Sequence, residues 1–208
     1  MEVPFYPNSE HGNNCMQACM QMILKYYFPK KEFSIEKINE LTGVRNRKIW
    51  SNIRQATVVL DDLGLNVRCY SDADIDLFLE DPEKYLEEHY ENWEYIRAKI
   101  DLDLNVKFTK ECIKRGLFET KKTDFKEIES FFEQGCLIMP ALNMNVFTDK
   151  EGYEGHFVII NDITEDKVQF HDPGLPPIPN RTEEKDKFIE AYYSHDTGRG
   201  IVVVSGKK

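Results

Sequence analysis

The sequence predicts an α+β fold in which helices come first and strands cluster late, rather than an alternating βαβ chain. Three observations carry that prediction. Cys15, Ala18, Cys19, Met22, Ile23, Tyr26 and Tyr27 recur at the i, i+3, i+4, i+7 spacing of one helix face. A middle stretch beginning at Asp72 repeats aromatic and apolar residues (Tyr85, Tyr90, Trp93, Ile96) in helical fashion. Short apolar runs bounded by Gly, Pro and Asp then crowd the last third of the chain.

In order along the chain, residues 1–14 carry Pro4, Pro7 and Gly12 and read as an irregular lead-in. Asn13 or Asn14 caps the first helix, so Cys15 falls in its first turn, and Pro29 ends it. Ser34 starts a second helix that Gly43 stops. A third is expected from about Ile49 to Leu63 with Gly64 as its C-cap, followed by a strand over 65–70. Residues 72–116 read as one or two helices. Residues 118–123 suit a short strand, and Asp124 caps a helix running to Gln134, where Gly135 ends it. Residues 136–144 form a buried strand, residues 156–162 and 167–172 a hairpin turning near Glu165, and residues 173–179, with four prolines, a rigid loop. A helix over 188–193 and a strand over 200–205 finish the chain. The whole, 1–208, is expected to be one domain with an acidic helical insertion at about 72–120.

Composition narrows the function. A chain of 208 residues can bury roughly 70% of its unfolded surface, and its 41% hydrophobic content excludes global disorder. No apolar run approaches the ~18 residues of a membrane span. The N-terminus lacks the basic and apolar regions of a signal peptide, and five irregularly spaced cysteines are not a disulfide framework, so a cytoplasmic, reducing setting is expected. A net charge of −10 argues against binding a nucleic-acid backbone. That charge is local: residues 72–103 hold 12 acidic and 3 basic residues, and the rest is nearly balanced. A solvated helical face explains such a run; a sharper reading is that it borders a cleft and favours basic substrates.

Phosphate loops, dinucleotide-binding glycine fingerprints and His-Glu-x-x-His helices are absent, so no cofactor is called for. What remains is a cysteine at a helix start with a histidine and an aspartate on a late hairpin. The positive end of a helix and a neighbouring imidazolium both stabilise a thiolate. Cys15 is placed for the first effect, His156 is a source of the second, and Asp172 is the group to orient His156. From spacing alone Cys15 reads equally well as a packing residue, and Cys19, Cys69, Cys112 and Cys136 read as packing. His171 points to the opposite strand face from Asp172 and reads as structural; His11, His89 and His195 have no informative context. A zinc site from Cys15, Cys19, His156 and His171 lacks a matched second ligand pair, and no metal is called for. The hairpin sets a condition: His156 and Asp172 share a face only if the turn is odd in length or one strand carries a bulge.

The segment Asn14-Cys15-Met16-Gln17-Ala18-Cys19-Met20-Gln21-Met22-Ile23-Leu24-Lys25-Tyr26-Tyr27 resembles the nucleophile helix of papain-like cysteine peptidases of the double-glycine leader (bacteriocin-processing) type, as a stand-alone member. Gly155-His156-Phe157-Val158-Ile159-Ile160 and Val168-Gln169-Phe170-His171-Asp172-Pro173 resemble that family's Gly-His strand and Asp-Pro strand end. Gly135 with Pro140, the 188–192 helix and the final 201–204 strand fit its order. The resemblance omits about 72–120. It implies a papain-like fold and a cysteine peptidase or amide hydrolase in which Cys15 is the nucleophile, His156 the general base and then acid, and Asp172 the orienter, acting on a peptide or protein substrate through a thioester. Departures stand beside it. Ser9 occupies the family's oxyanion-hole Gln position, Met16 replaces a Gly and Asn14 replaces an Asp. Asn13, Asn14, Ser9 or His11 is then the side-chain donor to an oxyanion, beside the Cys15 N–H. The alternatives are a catalytically inactive peptide-binding module on the same fold, or an acyltransferase.

Overall fold

The computed structural model describes residues 1–9, 13–44, 50–194 and 199–208. The expected start of the third helix at Ile49, and both His11 and His195, lie outside them.

Helix α1 (Cys15–Tyr27) is the centre of the molecule. Met16, Ala18, Cys19, Met20, Met22, Ile23 and Leu24 are all buried, because the helix is enclosed on several sides at once. Helix α2 (Ile35–Thr42) begins at Ser34, whose side chain accepts the Lys37 N–H, and ends at Gly43, whose φ of 75° is a left-handed cap that suits glycine. Helix α3 (Ile53–Asp62) starts later than expected, because Asn52 and Gln55 close a capping box there. Strand β1 (Leu65–Ser71) follows.

The acidic stretch holds four helices among the described residues, where one or two were expected: α4 (Ile75–Glu80), α5 (Pro82–His89), α6 (Trp93–Arg97) and α7 (Leu102–Lys114). Asp74, Asp81 and Asp101 each accept a first-turn N–H, so part of the acidity is helix capping. Ala73, Ile75, Phe78, Tyr85, Leu86 and Leu102 form a small core of their own under these helices.

Strand β2 (Phe118–Thr120) leads to α8 (Phe125–Glu133), which Asp124 and Glu127 cap reciprocally, and to the fully buried β3 (Leu137–Asn143). A 3₁₀ turn (Met144–Thr148) precedes β4 (Gly155–Phe157). Then come β5 (Ile159–Ile163), β6 (Lys167–Asp172), β7 (Ile178–Glu184), α9 (Lys185–Tyr193) and β8 (Gly200–Lys207). Among the described residues one sheet has the order β2-β1-β8-β3-β4 and a second the order β5-β6-β7. Leu137, Met139, Val202 and Val204 face α1, whereas Ile138, Ile201 and Val203 face a second core with Phe170, Phe188 and Tyr192. Alternation along β3 and β8 therefore divides the interior into two layers.

Two features differ from the sequence expectation. The run 156–162 is two strands in two sheets: β4 pairs with β3, β5 pairs with β6, and Val158 stands between them. The stretch 178–184, expected to begin in a rigid loop, is an edge strand on β6.

Candidate functional site

Cys15 is the first residue of α1, and the helix start carries no acidic residue and no side-chain cap from Asn14. The positive end of the helix is therefore left to the thiol. Instead of capping, the Asn14 side chain is buried. Its Oδ1 accepts the Ser9 hydroxyl at 2.8 Å and its Nδ2 donates to Asn39 Oδ1 at 3.3 Å. The Asn8 carboxamide oxygen accepts the N–H groups of both Ser9 and Asn14 at 2.8 Å, and this pins the lead-in against the helix.

His156 lies on β4 and Asp172 at the end of β6. The ladder explains how they meet. The β5–β6 turn places Ile163 opposite Val168, an even, two-residue turn that alone would put His156 on the wrong face. A bulge between Ile160 and Asp162 shifts the register so that Ile159 faces His171 and Ile160 faces Phe170. That is a bulge of the kind the sequence condition named, although His156 itself lies on β4, outside this ladder, and meets Asp172 across the two sheets. His156 Nε2 and Asp172 Oδ1 are 2.9 Å apart. The second ring nitrogen, Nδ1, is thereby left free of the carboxylate, and the imidazole acts on the Cys15 thiol as a neighbouring charge and hydrogen-bond partner that lowers its pKa.

The electrostatics follow from this chain. Burial pushes the Cys15 thiol up, but the His156 charge and hydrogen bond, with N–H groups of Phe157 and Met16 aimed at the sulfur, bring it below its ordinary 9.0. Burial pushes His156 down, but Cys15 and then Asp172 raise it to about 10. Burial also raises Asp172, yet the hydrogen bond and charge of His156, the Gly174 N–H and Arg181 hold its carboxyl below the usual range. The resting state these shifts favour is a thiolate–imidazolium pair, which can attack an electrophilic carbonyl without first losing a proton.

The neighbours were less visible in the sequence. Asp172 is 4% exposed, and all its oxygens are occupied: Oδ1 also accepts the Gly174 N–H at 2.9 Å and Oδ2 accepts Arg181 at 2.9 Å. A Cβ at Gly174 would lie 2.8 Å from Asp172 Oδ1 and 3.4 Å from His156 Nε2, so any side chain there must push the carboxylate aside. Cys19, fully buried one turn below Cys15, directs its Sγ at the Phe157 carbonyl at 3.4 Å. Burial, then the charges of Cys15 and Asp172, hold it as a thiol. His171 turns away, with Nε2 on the Val3 carbonyl and Nδ1 accepting the Asn180 N–H, so the four groups of the zinc alternative do not converge.

Of the oxyanion candidates, Ser9 and Asn14 spend their side-chain donors on neighbours. Asn13 does not: its Oδ1 accepts the Trp50 indole N–H at 3.3 Å, and no described residue takes its Nδ2. Trp50 ties this corner to the acidic stretch, its backbone N–H donating to the Lys99 carbonyl at 2.6 Å and its ring meeting Tyr95 edge-on.

Two solved structures match this architecture over nearly its full length. The peptidase domain of Streptococcus ComA, a bifunctional ABC transporter involved in quorum sensing, covers 99% of this chain and 100% of its own with a TM-score of 0.53 at 12% identity. A candidate C39-like peptidase from Bacillus anthracis covers 100% of this chain and 96% of its own with the same TM-score and identity. The chain has the fold of the papain-like C39 peptidases. No family model matches the sequence, and no curated protein matches it. Among the described residues, no helix is long and apolar enough to cross a membrane.

Proposed function

We propose that the protein is a cysteine peptidase or related amide hydrolase with Cys15 as nucleophile, His156 as general base and acid, and Asp172 as orienter. The observation that carries this reading is the chain from the Cys15 thiol through His156 to Asp172, with His156 Nε2 2.9 Å from the carboxylate. The Cys15 thiolate adds to a peptide carbonyl carbon. The Cys15 N–H and Asn13 Nδ2 receive the oxyanion. His156 passes its proton to the leaving nitrogen as the C–N bond breaks and the thioester forms. Water, deprotonated by His156, then displaces the thiolate and releases the acid. The acidic insertion, joined to Asn13 through Trp50, favours peptides with basic residues near the bond that is cut. A reducing, cytoplasmic setting suits five free cysteines.

Alkylation tests the reading. Iodoacetamide at neutral pH labels Cys15 well ahead of Cys69 and Cys112, and a peptide electrophile leaves an adduct that Cys15→Ala abolishes. Equal labelling of all three thiols would sink the proposal. Ser9, in the family's Gln position with its hydroxyl spent on Asn14, favours a second reading, a peptide-binding module without turnover. Electrophile capture by Cys15 with no product from a peptide library would select it.

A further inference from the structure

The mechanism above uses one carboxylate oxygen of Asp172 and gives no role to Arg181, which holds the other. Arg181 stands on β7 opposite Phe170, so it is the diagonal neighbour of Asp172 on the same face of the second sheet. A register shift between Phe170 and Asp172, where Asn180 adopts a φ of 52°, sets that diagonal. One guanidinium nitrogen lies 2.9 Å from Asp172 Oδ2 and another 2.7 Å from Glu183 Oε1. The planar group lies over the Phe147 ring at 4.7 Å and the Phe170 ring at 5.7 Å. Asp172, Arg181 and Glu183 keep 5%, 16% and 22% of their side-chain surface exposed, so water competes little for these bonds. A fork held by two carboxylates and packed on two rings has little freedom to turn, and it restrains the carboxylate it grips.

We propose that Arg181 is a positioning residue for the Cys15–His156–Asp172 site: it fixes the plane of the Asp172 carboxylate so that Oδ1 meets His156, and it keeps that carboxylate ionised. The inference rests on the reading of the site given above. The charged and titratable groups that face this carboxylate are Cys15 and Cys19 from α1, His156 from β4, and Arg181 and Glu183 from β7. Arg181 is the fixed cation among them, because His156 shares its charge with Cys15. Lysine would supply the charge but neither the fork nor the stacking.

Two readouts on the whole chain test this. The first is the titration of the His156 ring followed by NMR, whose low-pH inflection reports Asp172. The second is the pH dependence of iodoacetamide alkylation at Cys15. Arg181→Met is expected to move the low-pH inflection upward by about one unit, a tenfold change in acid dissociation constant, and to move the onset of Cys15 reactivity with it. Arg181→Lys is expected to restore the inflection while leaving alkylation slower than in the wild type. Glu183→Gln, which leaves Arg181 wholly to Asp172, moves the inflection down and serves if Arg181→Met does not fold. An inflection unmoved in Arg181→Met, or in Glu183→Gln where it replaces that variant, overturns the proposal. Failure of the underlying reading shows separately, as ordinary Cys15 reactivity in the wild type, and leaves the NMR comparison to judge Arg181.

Discussion

Gly174→Ala isolates the Asp172–His156 hydrogen bond from the rest of the fold. Gly174 has no left-handed φ, so alanine brings no backbone strain, and its cost to stability is expected to be that of the one hydrogen bond displaced, about 1.5–3 kcal/mol, with the fold retained. The added Cβ, however, would stand 2.8 Å from Asp172 Oδ1. Arg181 holds the other oxygen at 2.9 Å, so the carboxylate escapes only by rotating its Oδ1 away from His156. A hydrogen bond to a charged group is worth about 1.5–3 kcal/mol, which corresponds to about one to two pKa units. The imidazolium of His156, which titrates near 10, is therefore expected to titrate about one to two units lower in the variant. NMR titration of the ring measures this, and a thermal melt checks the fold. A His156 titration identical to the wild type would refute the steric argument, and so would a variant that loses the fold along with the shift.

Three further outcomes follow from the same geometry. Asn13→Ala is expected to lower the rate of peptide cleavage by about 10²–10³ with no change in Cys15 alkylation, because an oxyanion donor acts only after attack; a parallel loss of both would place Asn13 in thiol activation instead. The Cys15–His156 pair predicts a distinctive stability profile, read as the difference between wild type and His156→Gln in urea. The thiol lies below its ordinary 9.0, so its contribution builds as pH rises from its folded value. His156 lies above its ordinary 6.5, so its contribution is lost as pH rises from there through about 10. Above both the thiol's folded value and about 6.5, and below about 9, the two offset, since the folded ion pair and the unfolded neutral pair bind the same number of protons, and the difference should be flat there and fall above about 9. Replacing Glu91 and Glu94, which flank Trp93 in the acidic insertion, with Gln is expected to reduce cleavage of basic peptides and its salt dependence while sparing neutral ones; equal loss on both would remove the charge-selection idea.

The sequence was informative where one element ends and chemistry begins. Cys15 opens a helix after an Asn pair, His156 is the polar opening of an apolar strand, and Asp172 precedes a proline, so each is marked by a local contrast. The helical and late-strand regions were legible for the same reason: burial on one face writes a period into the chain. Strand β7 was not, because it is an edge strand whose inward row is Arg181 and Glu183 and therefore lacks an apolar alternation. The insertion was read as one or two helices because α4 and α6 are six and five residues long, too short to display a period before the next cap. The Val158 break was hidden in an unbroken run of buried residues, where nothing local says which sheet a strand joins. Gly174 and Arg181 act through a carboxylate that is itself distant in sequence from His156, a relation no spacing rule encodes.

The change of sheet at Val158 has a consequence for how the protein fails. His156 rides on the larger sheet and Asp172 on the smaller one, so their hydrogen bond is a strut across the joint between two separately laddered bodies. Loosening the three-stranded sheet, whose outer strand is short of apolar contacts, draws the aspartate away while α1 and the larger sheet stay intact. In rising denaturant the imidazole should therefore lose its high titration point well before the tryptophans and the far-ultraviolet signal report unfolding, and the site works as the molecule's own gauge of whether its two sheets are still docked.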